Sequence, residues 1–182
     1  MRELLITAFN DAVGDLKSDL GLMPLPRWHE FVFRFMYSRA VARRDRDVKH
    51  FFECSGIDLV LHRNESEIAF VEFKFYAHRP RYHPLLAIPM KMKGGPSPQN
   101  RQEFQDCIET LRGRSAPPDV LKLVALFYAD PANTTKKKYD TDYGVSSGIE
   151  DQLRLRQLVS LGPFPSPDAE GICNARLYEV GI

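Results

Sequence analysis

Apolar residues recur at helical spacing from Glu3 to Leu20, where Leu5, Ala8 with Phe9, Ala12 with Val13, Leu16 and Leu20 share one side and Gly21 follows as a stop. This predicts an amphipathic first helix. Pro24 and Pro26 form a connector, and Trp28, Phe31, Val32, Phe35 and Met36 then mark one face of a second helix reaching about Arg43. Three short runs rich in β-formers come next, Val48 to Cys54, Ile57 to Leu61 and Ile68 to Tyr76, separated by Ser55-Gly56 and by the polar stretch His62 to Glu67. They read as an antiparallel meander. In its third strand the two-residue period places Ile68, Phe70, Glu72, Lys74 and Tyr76 on one face and Ala69, Val71, Phe73 and Phe75 on the other.

Residues 77–98 form a basic, proline- and glycine-containing connection, too long for a plain turn and therefore a candidate functional loop. A helix is expected from Gln99, with Phe104, Cys107, Ile108 and Leu111 buried and Gly113 ending it. Val120 to Tyr128 is an almost unbroken apolar run, the mark of a central strand covered on both faces. A polar loop over Asp130 to Ser147, a short helix over Ile149 to Val159 and a last strand over Ile172 to Val180 complete the order. The expectation is one α/β domain over 1–182, with a mixed central sheet of about five strands flanked by helices. Its parts are a helical N-terminal segment 1–45, a meander 48–76, a helix and strand 99–128, and a C-terminal loop, helix and strand 130–182.

Composition narrows the function classes. At 182 residues one core is expected, and 43% hydrophobic with 27% charged residues is ordinary for a globular chain. Charges interrupt the first residues where a signal peptide needs an apolar stretch, and no eighteen apolar residues run together, so a cytoplasmic protein with no membrane partner is expected. Cys54, Cys107 and Cys173 are odd in number and lack a Cys-x-x-Cys pair, against both a disulfide framework and a zinc site. A net charge of +1 gives no global signal for nucleic acid, so local basic clusters have to carry that case. Such clusters include His78, Arg79 and Arg81, with His83 and Tyr82 among them, then Lys91 and Lys93, and Lys136, Lys137 and Lys138.

The chemistry is concentrated in the meander. Asp58 opens an otherwise apolar strand, and fourteen residues on stands Glu72-Phe73-Lys74. Alternation sets Glu72 and Lys74 side by side, and the hairpin partner strand can bring Asp58 within reach of both. Two carboxylates are what a hard divalent cation such as Mg2+ or Mn2+ uses, with water and phosphate filling the remaining positions. Lys74, with two acids nearby, is held charged and suits an orienting and electrostatic role more than that of a free base.

Over residues 28 to 128 the chain resembles the PD-(D/E)XK nuclease superfamily, the restriction-endonuclease-like fold, in its helix, three-stranded meander, helix and strand, with Asp58 and Glu72-Phe73-Lys74 in the positions of the motif. Ile57 stands where the family name has proline. The resemblance implies a Mg2+- or Mn2+-dependent nuclease, by analogy a DNA endonuclease, with Asp58 and Glu72 as metal ligands and Lys74 catalytic. It also implies a helical acid, for which Glu30 is the match, although Glu30 equally fits a surface pair with Arg34. Glu53 is an alternative third acid. The helix after the Glu-x-Lys strand can contribute a glutamine, with Gln102 and Gln105 as candidates. A homodimer is left open. The rival readings are a non-catalytic domain of the same fold that binds nucleic acid or protein, and a pure protein-interaction domain.

Overall fold

A computed structural model describes residues 1–20, 29–77, 80–82, 89–92, 95–131, 137–166 and 171–181. Two helices, α1 (Arg2–Leu20) and α2 (Glu30–Arg44), lead into three strands, β1 (Val48–Cys54), β2 (Ile57–Arg63) and β3 (Ser66–Ala77). The hairpin turns explain why these strands pair so closely in sequence. Ser55-Gly56 and Asn64-Glu65 each have both residues at positive φ, the two-residue loop whose twist matches that of the flanking strands. The expected antiparallel meander is thereby formed, with Cys54 opposite Ile57 and Arg63 opposite Ser66.

After β3 comes a short antiparallel pair inside the basic connection, β4 (Pro80–Tyr82) with β5 (Pro89–Met92), where only a loop was expected. Helix α3 (Pro98–Gly113) begins at a reciprocal cap, in which the Ser97 hydroxyl accepts from Asn100 N–H and the Asn100 side chain accepts from Ser97 N–H. The helix returns the chain so that β6 (Leu121–Pro131) runs parallel to β3, with Glu72 beside Val124 and Lys74 beside Leu126. Then follow α4 (Tyr139–Tyr143), a 3-10 turn at Val145–Ser147, α5 (Ile149–Gln152), β7 (Leu155–Pro165) and β8 (Gly171–Val180). The sheet is mixed and six-stranded, in the order β1-β2-β3-β6-β8-β7.

Three expectations are corrected here. On α2, Phe31 and Phe35 are exposed, and the buried side is formed by Phe33, Met36, Tyr37, Ala40 and Val41, because the face turned to the sheet is one residue away from the one the apolar spacing suggested. The polar segment after Asp130 contains ordered helical turns, with Tyr139 and Tyr143 buried. The helix expected over Ile149 to Val159 stops after four residues, and the chain continues as β7, the sixth strand. The physical reason is register: β7 slips against β8 between Gln157 and Val159 and again between Leu161 and Phe164. Each irregularity resets the two-residue period, and the resulting spacing of Leu155, Leu158 and Val159 imitates a helical face.

Each side of the sheet has its own core. Ala69, Val71 and Phe73 of β3 pack with α1 and α2, where the rings of Phe33 and Tyr37 stand edge-on to Phe73 at 5.7 and 5.6 Å. Phe70 and Tyr76 pack on the opposite side with Phe104, Cys107 and Ile108 of α3 and Tyr139 and Tyr143 of α4. Strand β3 is therefore covered on both faces, and from Ala69 to Tyr76 the alternation is the one expected, whereas Ile68, expected on the face of Phe70, packs against the α1 and α2 core beside the register shift at Leu61/His62. Among the described residues no helix is long and apolar enough to cross a membrane.

Candidate active site

The site lies where β2 and β3 part. Their paired register ends at Leu59 opposite Val71, and one residue earlier on β2 the Asp58 side chain takes over from the ladder: its Oδ2 accepts the Phe73 N–H at 2.8 Å. Glu72 lies beside Asp58, close enough for the Asp58 charge and main-chain amide both to act on its carboxyl. The two acids proposed as metal ligands are thus brought together by a strand separation that leaves peptide groups in need of side-chain partners.

Lys74 follows two residues along the same face of β3, half-buried. Glu30, at the first turn of α2, comes from the other side and accepts the Phe75 N–H, close enough for its charge to be felt by both Lys74 and Asp58. Of the two readings open for Glu30, the acid cluster describes its surroundings better than a surface pair. Arg34, one turn further along α2, does not spend its guanidinium on Glu30. Its Nη1 donates to Asp58 Oδ1 at 3.1 Å and to the Asp58 carbonyl at 3.3 Å, and forms an ion pair with Glu53. Arg34 is buried, at 7% exposure, and among the described residues its Nε has no hydrogen-bond partner. Glu53 is mostly in water and meets the cluster through Arg34.

Protonation follows from this crowding. Glu72, 6% exposed, is pushed up to about 8, first by burial and then by the adjacent Asp58 charge, against a smaller opposing pull from Lys74. Burial also raises Glu30. For Lys74, burial favours the neutral amine, but the charges of Cys107, Glu30, Asp58 and Glu72 together outweigh it and the ammonium is favoured. The Cys107 thiol is itself pushed up to about 12 by burial, so at neutral pH it is uncharged and the carboxyl groups do the work.

Leaving aside Glu53, whose charge is mostly in water, three carboxyls, Glu30, Asp58 and Glu72, face two cations, Arg34 and Lys74. The set is neutral when Glu72 holds a proton and carries one negative charge when it does not. Among the described residues no three His, Cys, Asp or Glu side chains form a ready-made cation cage. Asp58 and Glu72 instead present a two-carboxylate edge, the donor set on which Mg2+ commonly relies while keeping most of its water. These residues fit such an ion.

The other expected contributors are placed less centrally. Gln102 lies on the exposed side of α3 and donates to Asp106 Oδ1 at 2.8 Å, turned along the helix instead of toward the acids. Gln105 is half-buried on the same helix. His78, Arg79, His83, Lys93 and Lys136 lie outside the described residues, while Arg81 and Tyr82 fall in β4 and Lys91 in β5. Lys137 pairs with Asp142 at 2.7 Å. Sequence reasoning missed Arg34 as a member of the cluster. Its signal was its setting, an arginine between Phe33 and Phe35 on a helix that packs against the sheet. Against known proteins, the chain matches no family model, no curated protein and no solved structure.

Proposed function

We propose that this chain is a divalent-cation-dependent phosphodiesterase of the restriction-endonuclease-like kind, hydrolysing nucleic acid with Asp58, Glu72 and Lys74. The observation that supports this most directly is the meeting of the Asp58 and Glu72 carboxyls at the parting of β2 and β3, with Lys74 on the same face. Mg2+ or Mn2+ held by those two carboxylates would supply Lewis acidity to the scissile phosphate and a more acidic bound water. The chain's own residues do the rest. Asp58 is held in place by the Phe73 N–H and Arg34, so its free lone pairs keep a fixed direction. Lys74, kept charged, orients the attacking water and shares the negative charge that develops on the phosphate oxygens. Glu30 holds Lys74 from the α2 side.

Charge balance favours the same reading. With Glu72 deprotonated the cluster has one net negative charge, a bound divalent ion turns this to one positive, and one phosphodiester group neutralises it. DNA is the substrate implied by the resemblance.

A second reading also has an observation behind it. The ion pair between Arg34 and Asp58, with Glu72 protonated, is already a neutral, closed set and would serve as a structural cluster in a non-catalytic nucleic-acid- or protein-binding domain. Cleavage separates the two. Fluorescent duplex DNA, single-stranded DNA and RNA are each incubated with the protein and Mg2+ or Mn2+. We expect cleavage of at least one, abolished by EDTA and reduced roughly 10²- to 10³-fold in Lys74→Ala and in Asp58→Asn. No cleavage of any substrate, or equal cleavage by Lys74→Ala, refutes the enzymatic reading.

A further inference from the structure

A second polar site lies elsewhere on the molecule. Arg176 stands in the middle of β8 and is 3% exposed, yet among the described residues its guanidinium has no carboxylate partner. Nη1 donates to the carbonyls of Leu161 and Ala175 at 3.2 and 3.3 Å, Nη2 donates to the Tyr128 hydroxyl at 3.3 Å, and among the described residues Nε has no acceptor. An unpaired buried cation is costly unless something compensates it. Beside it on the same strand, Asn174 is 4% exposed and makes no side-chain hydrogen bond among the described residues. Both line a cavity of about 490 Å³.

That volume is far more than a lone ion needs and lies within the range of small-molecule sites. Its floor is rich in donors, Arg176 and Asn174, and Lys138 adds a second cation to the lining. Exposed apolar walls are given by Val145, Pro163 and Ile172. Two acids border the space and are tied to the fold: both Asp130 oxygens accept, from the N–H groups of Tyr139 and Asp140 at 2.6 and 2.8 Å, and one Asp140 oxygen accepts the Tyr128 hydroxyl at 2.8 Å. Gly162 leaves room over the Asn174 side chain, since a Cβ there would lie 2.7 Å from Asn174 Oδ1.

We propose that this cavity binds a small phosphorylated molecule of mononucleotide size, its phosphate on Arg176, Asn174 and Lys138 and its flat apolar body against Val145, Pro163 and Ile172. The site is separate from the acids of β2 and β3. Arg176 is in register with Leu126, which is in register with Lys74, so two strand spacings, about 10 Å, divide their backbones. The proposal does not depend on the nuclease reading.

The test is binding by the whole chain in EDTA, followed by calorimetry and thermal shift, with nucleoside monophosphates, inorganic phosphate and the uncharged nucleosides as separate probes. We expect nucleoside monophosphates to bind and to raise the melting temperature, phosphate to bind more weakly and nucleosides not at all. Arg176→Gln should weaken binding roughly tenfold or more. Because a buried arginine can be needed for folding, Ser160→Trp, an exposed change on the β7 side of the cavity, should block binding while leaving a cooperative melt. Asp58→Asn should bind normally. The proposal is overturned if no monophosphate binds, if nucleosides bind equally well, if Ser160→Trp binds unchanged, or if Asp58→Asn removes binding.

Discussion

Glu72→Gln tests the electrostatics of the acid cluster without requiring that the substrate be known. The wild-type carboxyl titrates near 8 in the folded chain and near its ordinary value of 4.5 when unfolded. Between those limits the native state keeps a proton that the unfolded state has released, so stability is greatest below pH 4.5, falls as pH rises through the window and is level above about 8. The whole difference corresponds to at most about 5 kcal/mol. The loss of the Lys74 attraction partly offsets the gain, so roughly 1–3 kcal/mol is expected. Glutamine keeps the shape and a hydrogen-bonding edge but never ionises. At pH 8.5 in EDTA the variant should therefore melt higher than wild type by roughly 3–10 °C, at about 2–4 °C per kcal/mol for a chain of this size. At pH 4 the two should coincide. Adding 10 mM Mg2+ at pH 8.5, a concentration of order that used for magnesium enzymes, should raise the wild-type melting temperature and leave Glu72→Gln nearly unmoved. Differential scanning fluorimetry across the pH range reads all of this. A variant equally destabilised at pH 4 and pH 8.5 would refute the description of Glu72 as a strained, proton-holding carboxyl.

Arg34→Met leaves Asp58 without its cation and should cost roughly 2–4 kcal/mol in urea unfolding at pH 7; a change below about 0.5 kcal/mol, the size expected of an ordinary surface substitution, would mean that the Arg34–Asp58 contact does little. Phe73→Ala removes the ring that Phe33 and Tyr37 meet edge-on and should cost roughly 3–5 kcal/mol by the same measurement, with a loss near 1 showing a core that collapses easily. Oligonucleotide binding by Glu72→Gln, followed by fluorescence anisotropy, should weaken steeply as salt is raised, because phosphate contacts release counterions; binding that ignores salt would argue against a phosphate-tracking surface.

Much of the fold was legible because local pattern and tertiary role agree. The meander follows from β-rich runs separated by tight turns, and the two-core arrangement follows from the strict alternation along β3, where Phe70 and Phe73 serve opposite layers. Where they disagree, the reading failed. The slips in β7 gave a strand the spacing of a helix, and the paired segments β4 and β5 are too short to announce themselves inside a proline-rich connection. At the site, alternation was enough to set Glu72 beside Lys74. The splaying of β2 from β3, which makes Asp58 a substitute ladder acceptor, is a property of paired strands and has no mark in either strand alone. Arg176 falls in the expected last strand, but whether its charge is buried depends on neighbours that only the sheet order supplies.

Helix α2 contributes Glu30 and Arg34, one turn apart, and this pair bears on why the cluster exists. Four residues apart on an exposed helix they would neutralise each other and gain a few tenths of a kcal/mol, about 0.2–0.5. Here the two are directed to different partners, Arg34 to Asp58 and Glu30 to the Phe75 N–H near Lys74. An arrangement serving stability alone would pair them directly and fill the parting of β2 and β3 with apolar side chains, since buried ion clusters are rarely more stable than well-packed hydrophobic ones. Holding three carboxyls against two fixed cations keeps the site one positive charge short whenever Glu72 ionises. On the proposed function, a divalent cation would overshoot that deficit by one charge and a phosphodiester would remove the excess, making the full complex the neutral state at alkaline pH. The strain in Glu72 is thus the quantity to follow: an ion that relieves it binds between Asp58 and Glu72, and one that leaves it unchanged binds elsewhere.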